Sequence, residues 1–259
     1  MFGYKTQPAW FFDSSIHLEA VSRLLYLVES HEPLGSICGL DGSGRTRVLS
    51  KLREELARSG TSVISMNLSG LDEASALWQL ASRVSAGTRP DMQRHELLIL
   101  VRDELCGLGH CGLQNVILLD DFHRSLGDQS VLLRILLALT AQCQGLLTIV
   151  VASDKPLSVE FAQHSFIHVS LSSLDSAESA DFVRTLLRRN SIRPSAGEDS
   201  AVRVISEMAT GNAARMSRIC ELLRVLHQAS PETRINAETV RSLLAELLPD
   251  SGWRSGRAG

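Results

Sequence analysis

One glycine-rich octet, Gly39-Leu40-Asp41-Gly42-Ser43-Gly44-Arg45-Thr46, constrains this chain more than any other stretch. It fits the phosphate-cradling pattern G-x-x-x-x-G-K-[ST] at every defined position but the seventh, where Arg45 stands in place of lysine. The apolar run 34–38 before it reads as a strand. Residues 45–59 after it have helical spacing through Val48, Leu49, Leu52 and Leu56. In a strand–turn–helix of this kind the backbone amides point inward at phosphate oxygens, and the helix N-terminus adds partial positive charge. Thr46 then offers its hydroxyl to Mg²⁺. Arg45 keeps the charge but carries it on a wide, planar guanidinium rather than a compact ammonium. A glycine-rich turn that binds nothing is the alternative for the same residues.

A second stretch bears on the first. Asn115-Val116-Ile117-Leu118-Leu119-Asp120-Asp121 places four consecutive apolar residues before two carboxylates. Such a run predicts a strand buried on both faces of a parallel sheet. Ligands of open α/β sheets bind beyond the carboxyl ends of strands, which would put Asp120 and Asp121 beside the glycine loop. Helix capping is the other use of an Asp after a strand. The loop upstream favours the functional use.

The remaining strands and helices alternate. Residues 17–30 predict a helix through Leu18, Val21, Leu24, Leu25 and Val28, and residues 61–68 a second strand. Residues 72–85 predict a helix with Leu77, Trp78, Leu80, Ala81 and Val84 inward, and 91–108 another, before a break over 109–114. Then come a helix over 129–142, a strand over 146–152, a short helix over 155–163 and a fifth strand over 165–171. Strands alternating with helices make an α/β fold with a parallel sheet between helical layers. After Leu171 the strand-like runs stop. Residues 176–190, 198–210, 211–229 and 236–248 are amphipathic helices, with Asp175, Ser200 and Asn236 as N-terminal signals. The expected division is 1–171 for the α/β domain, 172–248 for a helical lid and 249–259 for a disordered tail.

Composition removes some function classes. Hydrophobic residues make up 44% and charged residues 21% of 259, as in globular proteins. The net charge of −3 argues against a chain-wide basic surface for nucleic acid, although Arg184, Arg188, Arg189, Arg193 and Arg203 form a local basic cluster. No stretch reaches the ~20 apolar residues of a membrane span, and the N-terminus has no apolar signal-peptide core. Cys38, Cys106, Cys111, Cys143 and Cys220 are scattered and odd in number, which indicates reduced thiols and a cytoplasmic location. Cys106, His110 and Cys111 cluster, but a zinc site needs four ligands at suitable spacing.

The ordered set of motifs resembles AAA+ P-loop ATPases of the ExeA/GspA kind, component A of the general (type II) secretion pathway. The Orc/Cdc6 group and the transposition ATPases of TniB and Mu B type share the layout. The resemblance rests on Phe2, Gly3 and Pro8, on His17-Leu18-Glu19-Ala20 with Leu25-Tyr26, on the apolar run ending in Asp120, and on Gly211 followed by Arg215. It spans about residues 2–248. It implies a sheet of about five strands sandwiched by helices, then a small all-helical lid, with ATP or ADP and Mg²⁺ as ligands.

By position, the resemblance makes Gly39, Leu40, Asp41, Gly42, Ser43, Gly44, Arg45 and Thr46 the Walker A loop. Asp120, with Thr46, would hold Mg²⁺, and Asp121 would polarise the attacking water. Ser153 stands near the first sensor position and Arg215 at the second, where a surface arginine on a helix is the alternative. Three departures weaken hydrolysis more than binding: Arg45 for lysine, Asp121 for glutamate, and His164 where an arginine finger is expected, although His164 also suits an ordinary surface position. The expectation is an ATP-binding switch with slow hydrolysis. Its partner would be a secretion, envelope-assembly or regulatory protein, another copy of the chain or an AAA+ paralogue. Because the chain stops at the lid, a free-standing cytosolic regulator suits it better than a full secretion ATPase. A DNA-associated transposition or initiator-type ATPase, and a pseudo-ATPase scaffold, are the competing readings.

Overall fold

Side chains alternate across a strand, so Val116-Ile117-Leu118-Leu119 can be wholly apolar only if both faces of its sheet are covered. The structure, a computed structural model, describes residues 10–126, 129–192, 198–230 and 232–247. Phe2, Gly3, Pro8, Arg193 and the 249–259 tail lie outside the described residues. In it, β3 (Asn115–Asp120) and β4 (Leu147–Ser153) are buried along their whole length. With β1 (Leu34–Gly39), β2 (Ser62–Asn67) and β5 (Ile167–Leu171) they form one parallel sheet in the order β2-β3-β4-β1-β5. The sheet is flanked by helices on both sides, the α/β P-loop arrangement.

The two faces have separate apolar clusters. Val116, Leu118, Val150 and Ala152 pack with α1 (Ser15–Glu29) and α2 (Arg45–Arg58). Ile117, Leu119, Ile149 and Val151 face the other way, onto α3 (Glu73–Val84), α4 (Arg94–His110) and α5 (Ser130–Gln142). Each strand thus feeds both layers by strict alternation, and parallel pairing sends every crossover through a helix.

Several local expectations change. Trp78 is 41% exposed, because the buried stripe of α3 runs Ala76, Leu77, Leu80, Ala81 and Trp78 falls beside it. Leu18 is also exposed, displaced from the buried stripe of α1 by His17. Helix α4 continues through Gly109 to His110 rather than breaking there; Gly109 lets it approach α5, since a Cβ would lie 2.8 Å from the Cys143 carbonyl oxygen. The helix expected over 155–163 shrinks to α6 (Val159–Ala162). Pro156 disfavours helical backbone at Lys155.

The described residues divide into two units between Ser172 and Ser173. The second holds α7 (Ser176–Arg189), α8 (Glu198–Ala209), α9 (Ala213–Ala229) and α10 (Ala237–Leu247). Phe182, Leu187, Ile205, Ile219, Leu223 and Val240 are buried in it. Asp175 caps α7 by accepting from the Glu178 N–H at 2.8 Å, and the Asn236 side chain accepts from the Thr239 N–H at 2.9 Å at the start of α10. Ser200 lies inside α8, which has already begun at Glu198, so it is no cap. Helix α9 starts after Gly211, with Asn212 accepting from the Arg215 N–H.

Candidate functional site

The glycine loop joins β1 to α2 at the carboxyl end of β1. Gly42 (φ 84°) and Gly44 (φ 100°) take left-handed backbone that disfavours any side chain. Space imposes a second condition. A Cβ on Gly39 would lie 2.6 Å from Ser43 Oγ, and one on Gly44 would lie 2.4 Å from His17 Nε2. Because the N-cap of α2 is Gly44, no side chain caps the first-turn amides, which is the condition under which a helix N-terminus takes an anion. Ser43 Oγ is buried and has no hydrogen-bond partner among the described residues. An orphaned hydroxyl in a glycine cradle fits a phosphate oxygen.

His17 fixes the loop from behind. Its Nε2 lies 2.7 Å from the Ser43 carbonyl oxygen and its Nδ1 2.5 Å from Ser14 Oγ. A carbonyl only accepts, so Nε2 carries a proton and donates to Ser43. The imidazole is buried, and Phe11 packs edge-on against it.

At the end of β3, Thr46 Oγ1 donates to Asp120 Oδ2 at 2.7 Å, and the Asp121 N–H donates to Asp120 Oδ1 at 2.9 Å. The structure therefore brings the loop threonine and the first carboxylate together. Burial raises the Asp120 carboxyl above the usual range; the Thr46 hydrogen bond opposes this and the Asp121 charge adds to it. Thr46 and Asp120 supply two hard oxygens, and Mg²⁺ is ordinarily held by one or two protein oxygens together with phosphates and water. Among the described residues no three His, Cys, Asp or Glu side chains form a metal cage of their own. Cys106 Sγ instead faces Cys143 Sγ at 3.0 Å, and His110 Nδ1 lies 2.7 Å from the Cys106 carbonyl.

Arg45 is 6% exposed and spans the loop. Its guanidinium donates to the Gly39 carbonyl, lies 3.1 Å from Asp41 Oδ1 and 3.6 Å from Asp121 Oδ1. Asp121 has left-handed backbone (φ 51°), and its other oxygen accepts from Asn67 Nδ2 at 3.0 Å, at the end of β2. Leu40 is exposed at the rim of the loop. Ser153, at the end of β4, is buried and donates its hydroxyl to the Lys155 carbonyl. His164 is exposed just after α6. Arg215 lies in the second unit, in the first turn of α9.

The residues that sequence reasoning missed are His17 as a support, Asn67, and the pair His123–Arg124 in the short 3₁₀ turn Phe122–Arg124. Arg124 donates to Asp41 Oδ2 across 83 residues of sequence. Only the position of His123 and Arg124, one residue beyond the two carboxylates, could have marked them.

The family model described as "AAA domain" matches residues 28–159. No curated protein matches the chain in sequence. Several solved structures share its fold. The Drosophila ORC bound to DNA gives a TM-score of 0.72 at 14% identity, covering 96% of this chain and 70% of that one. Cdc6p from Pyrobaculum aerophilum gives 0.71 at 16%, covering 95% and 71%. The Thermotoga maritima RuvB Holliday junction branch migration motor gives 0.61 at 16%, covering 90% and 70%.

Proposed function

The chain belongs to the AAA-domain family, and from that premise we propose that it binds ATP and ADP with Mg²⁺ at the 39–46 loop, hydrolyses ATP slowly, and couples nucleotide state to a partner. The loop amides and Ser43 would hold the phosphates, and Thr46 and Asp120 the cation. Bound nucleotide supplies the phosphoryl group, and Mg²⁺ neutralises its charge.

The buried span of Arg45 carries the reading. A guanidinium at the loop keeps cationic charge where phosphates are expected, which favours binding. The same group faces Asp121, and Asn67 holds the other oxygen of that carboxylate. A carboxylate held on one side by a guanidinium and on the other by an amide is not free to turn toward a water, and aspartate reaches one methylene less far than glutamate. Positioning of water is therefore the weak part of this site. Arg215 is proposed as a nucleotide sensor from the helical unit, which would act as the lid, and Ser153 as a sensor at the end of β4.

The resemblance to ExeA/GspA supports a protein partner in envelope assembly or a regulatory complex, and a cytoplasmic location. No helix among the described residues is long and apolar enough to cross a membrane. The Drosophila ORC structure, which contains DNA, raises a DNA-associated reading. Ion pairing of Arg184 with Asp181 and Asp199, and of Arg203 with Glu207, makes the basic cluster less available for phosphates. The protein partner is preferred for that reason.

Calorimetric titration with ATP and ADP in Mg²⁺, with turnover measured on the same sample, tests the reading. Tight binding with slow turnover is expected. Brisk Mg²⁺-dependent turnover that disappears in Arg45→Ala would overturn the slow hydrolysis. No binding at millimolar nucleotide would overturn the whole and favour a scaffold.

A further inference from the structure

The third residue of the loop is an acid, which the spacing of a phosphate cradle does not require. Asp41 places a negative charge where a polyanion is to bind. Like charges at close range repel, and more strongly at a protein surface than in bulk water. The carboxylate is nonetheless strongly engaged. Arg45 Nη2 donates to Oδ1 at 3.1 Å, and Arg124 Nη2 donates to Oδ2. His123 accepts the Asp154 N–H on Nδ1 at 3.1 Å, so its proton rests on Nε2, which lies 4.0 Å from Asp41 Oδ1. Burial alone would raise the Asp41 carboxyl, but the hydrogen bonds and charges of Arg124 and Arg45 outweigh it and hold the group below the usual range.

Two guanidiniums thus converge on one small anion, with the His123 imidazole nearby but beyond hydrogen-bond distance. Carboxylate and phosphate oxygens compete for the same fork of N–H donors. The groups come from separate elements. Arg45 opens α2, and His123 and Arg124 lie in the short 3₁₀ turn after β3, within four residues of Asp120. Asp41 itself is 61% exposed at its side chain and sits on the loop rather than on a helix or strand, so it can turn outward without disturbing the sheet.

We propose that Asp41 is a tethered competitor for the phosphate-binding donors, and that Arg124 is a specificity residue that leaves Asp41 for the terminal phosphate of a nucleoside triphosphate. This rests on the reading of the loop as a nucleotide site. Triphosphate, with more negative charge than diphosphate, displaces the tethered carboxylate more readily. The exchange makes the loop discriminate between the two through side chains that lie outside the octet.

The experiment is calorimetric titration of the full chain with the non-hydrolysable β,γ-imido analogue of ATP and with ADP. It is run on the natural protein, Asp41→Asn, Asp41→Ser and Arg124→Gln, with the thermal midpoint of each nucleotide-free protein recorded. Both Asp41 variants should bind the triphosphate analogue about tenfold more tightly, the effect of removing one competing charge worth about 1.4 kcal/mol. Arg124→Gln should weaken the analogue by about fivefold or more while ADP changes by less than about twofold, as expected for one lost charge-assisted contact. Unchanged or weakened binding in both Asp41 variants, with nucleotide bound by the natural protein, overturns the competitor. An Arg124→Gln variant that loses both nucleotides equally overturns the specificity role. If neither the natural protein nor any variant binds, the nucleotide reading of the loop fails and the inference fails with it. Binding gained only in the Asp41 variants supports the competitor but overturns nucleotide binding by the natural protein.

Discussion

Asp120 shows how a single side chain can hold stability and binding in opposition. Its folded carboxyl is raised by burial, so the protonated form is favoured in the folded protein. Stability from this group is fully present below the ordinary carboxylate range and is lost as pH rises through the raised folded value. Asp120→Asn should therefore raise the thermal midpoint of the nucleotide-free protein near neutral pH, by the equivalent of about 1 kcal/mol. The difference from the natural protein should shrink as pH falls toward 4. The same variant should lose Mg²⁺-dependent nucleotide binding. Thermal scans from mildly acidic to neutral pH check the first part, and titration with and without Mg²⁺ the second. At this scale the sequence was only partly legible. The glycine spacing marked the loop, because a left-handed turn restricts which residues can stand at Gly42 and Gly44. The contacts of Arg124 with Asp41 and of His17 with Ser43 were not legible, since no local pattern links positions so far apart in the chain.

Whole elements were more legible than single contacts. Buried strands such as β3 and β4 announce themselves by apolar runs, since both faces must be covered. Helix stripes were read correctly where the buried face was continuous, as in Val48, Leu49, Leu52 and Leu56. They failed at the margin of the stripe. Trp78 is large and apolar but stands off the buried face of α3, and size alone does not fix which way a helix turns. The junction before α9 gives the prediction proper to this scale. Gly211 has φ 73°, accepts a hydrogen bond from the Leu174 N–H at 3.0 Å, and would place a Cβ 2.3 Å from the Leu174 carbonyl oxygen. Gly211→Ala should destabilise the helical unit by about 2 kcal/mol or more, from backbone strain and the backbone clash together. Chemical denaturation followed by helical circular dichroism reads this as a lower midpoint. An unchanged midpoint would mean that the turn relaxes freely.

For the whole molecule, the break between Ser172 and Ser173 separates two bodies, each with its own buried residues. Nucleotide held at the 39–46 loop touches the first. Scanning calorimetry should therefore show the transition of the first unit moving upward with ATP, by about 2.7 kcal/mol at a hundredfold excess over Kd, and that of the helical unit moving with it, as a lid sensor at Arg215 requires. A helical transition that stays in place would overturn the sensor role of Arg215. The sequence revealed the change from strands to helices after Leu171 because alternating and helical periods differ plainly. It held nothing on the arrangement of the two bodies, which depends on surfaces rather than periodicity.

The strand order carries a consequence for synthesis. β1 ends at Gly39, yet its sheet neighbours are β4, beginning at Leu147, and β5, ending at Leu171. A nascent chain contains the complete glycine loop and helix α2, ending at Arg58, well before Leu147 begins the first partner of the strand beneath them. Closing so long a span before any pairing returns energy is slow. β2 and β3 can pair first, but the strand that bears the loop must wait for the last two strands of the sheet. On the ribosome, the nucleotide binding proposed for the loop would become possible only near the end of this unit's synthesis, long after the loop itself has been made.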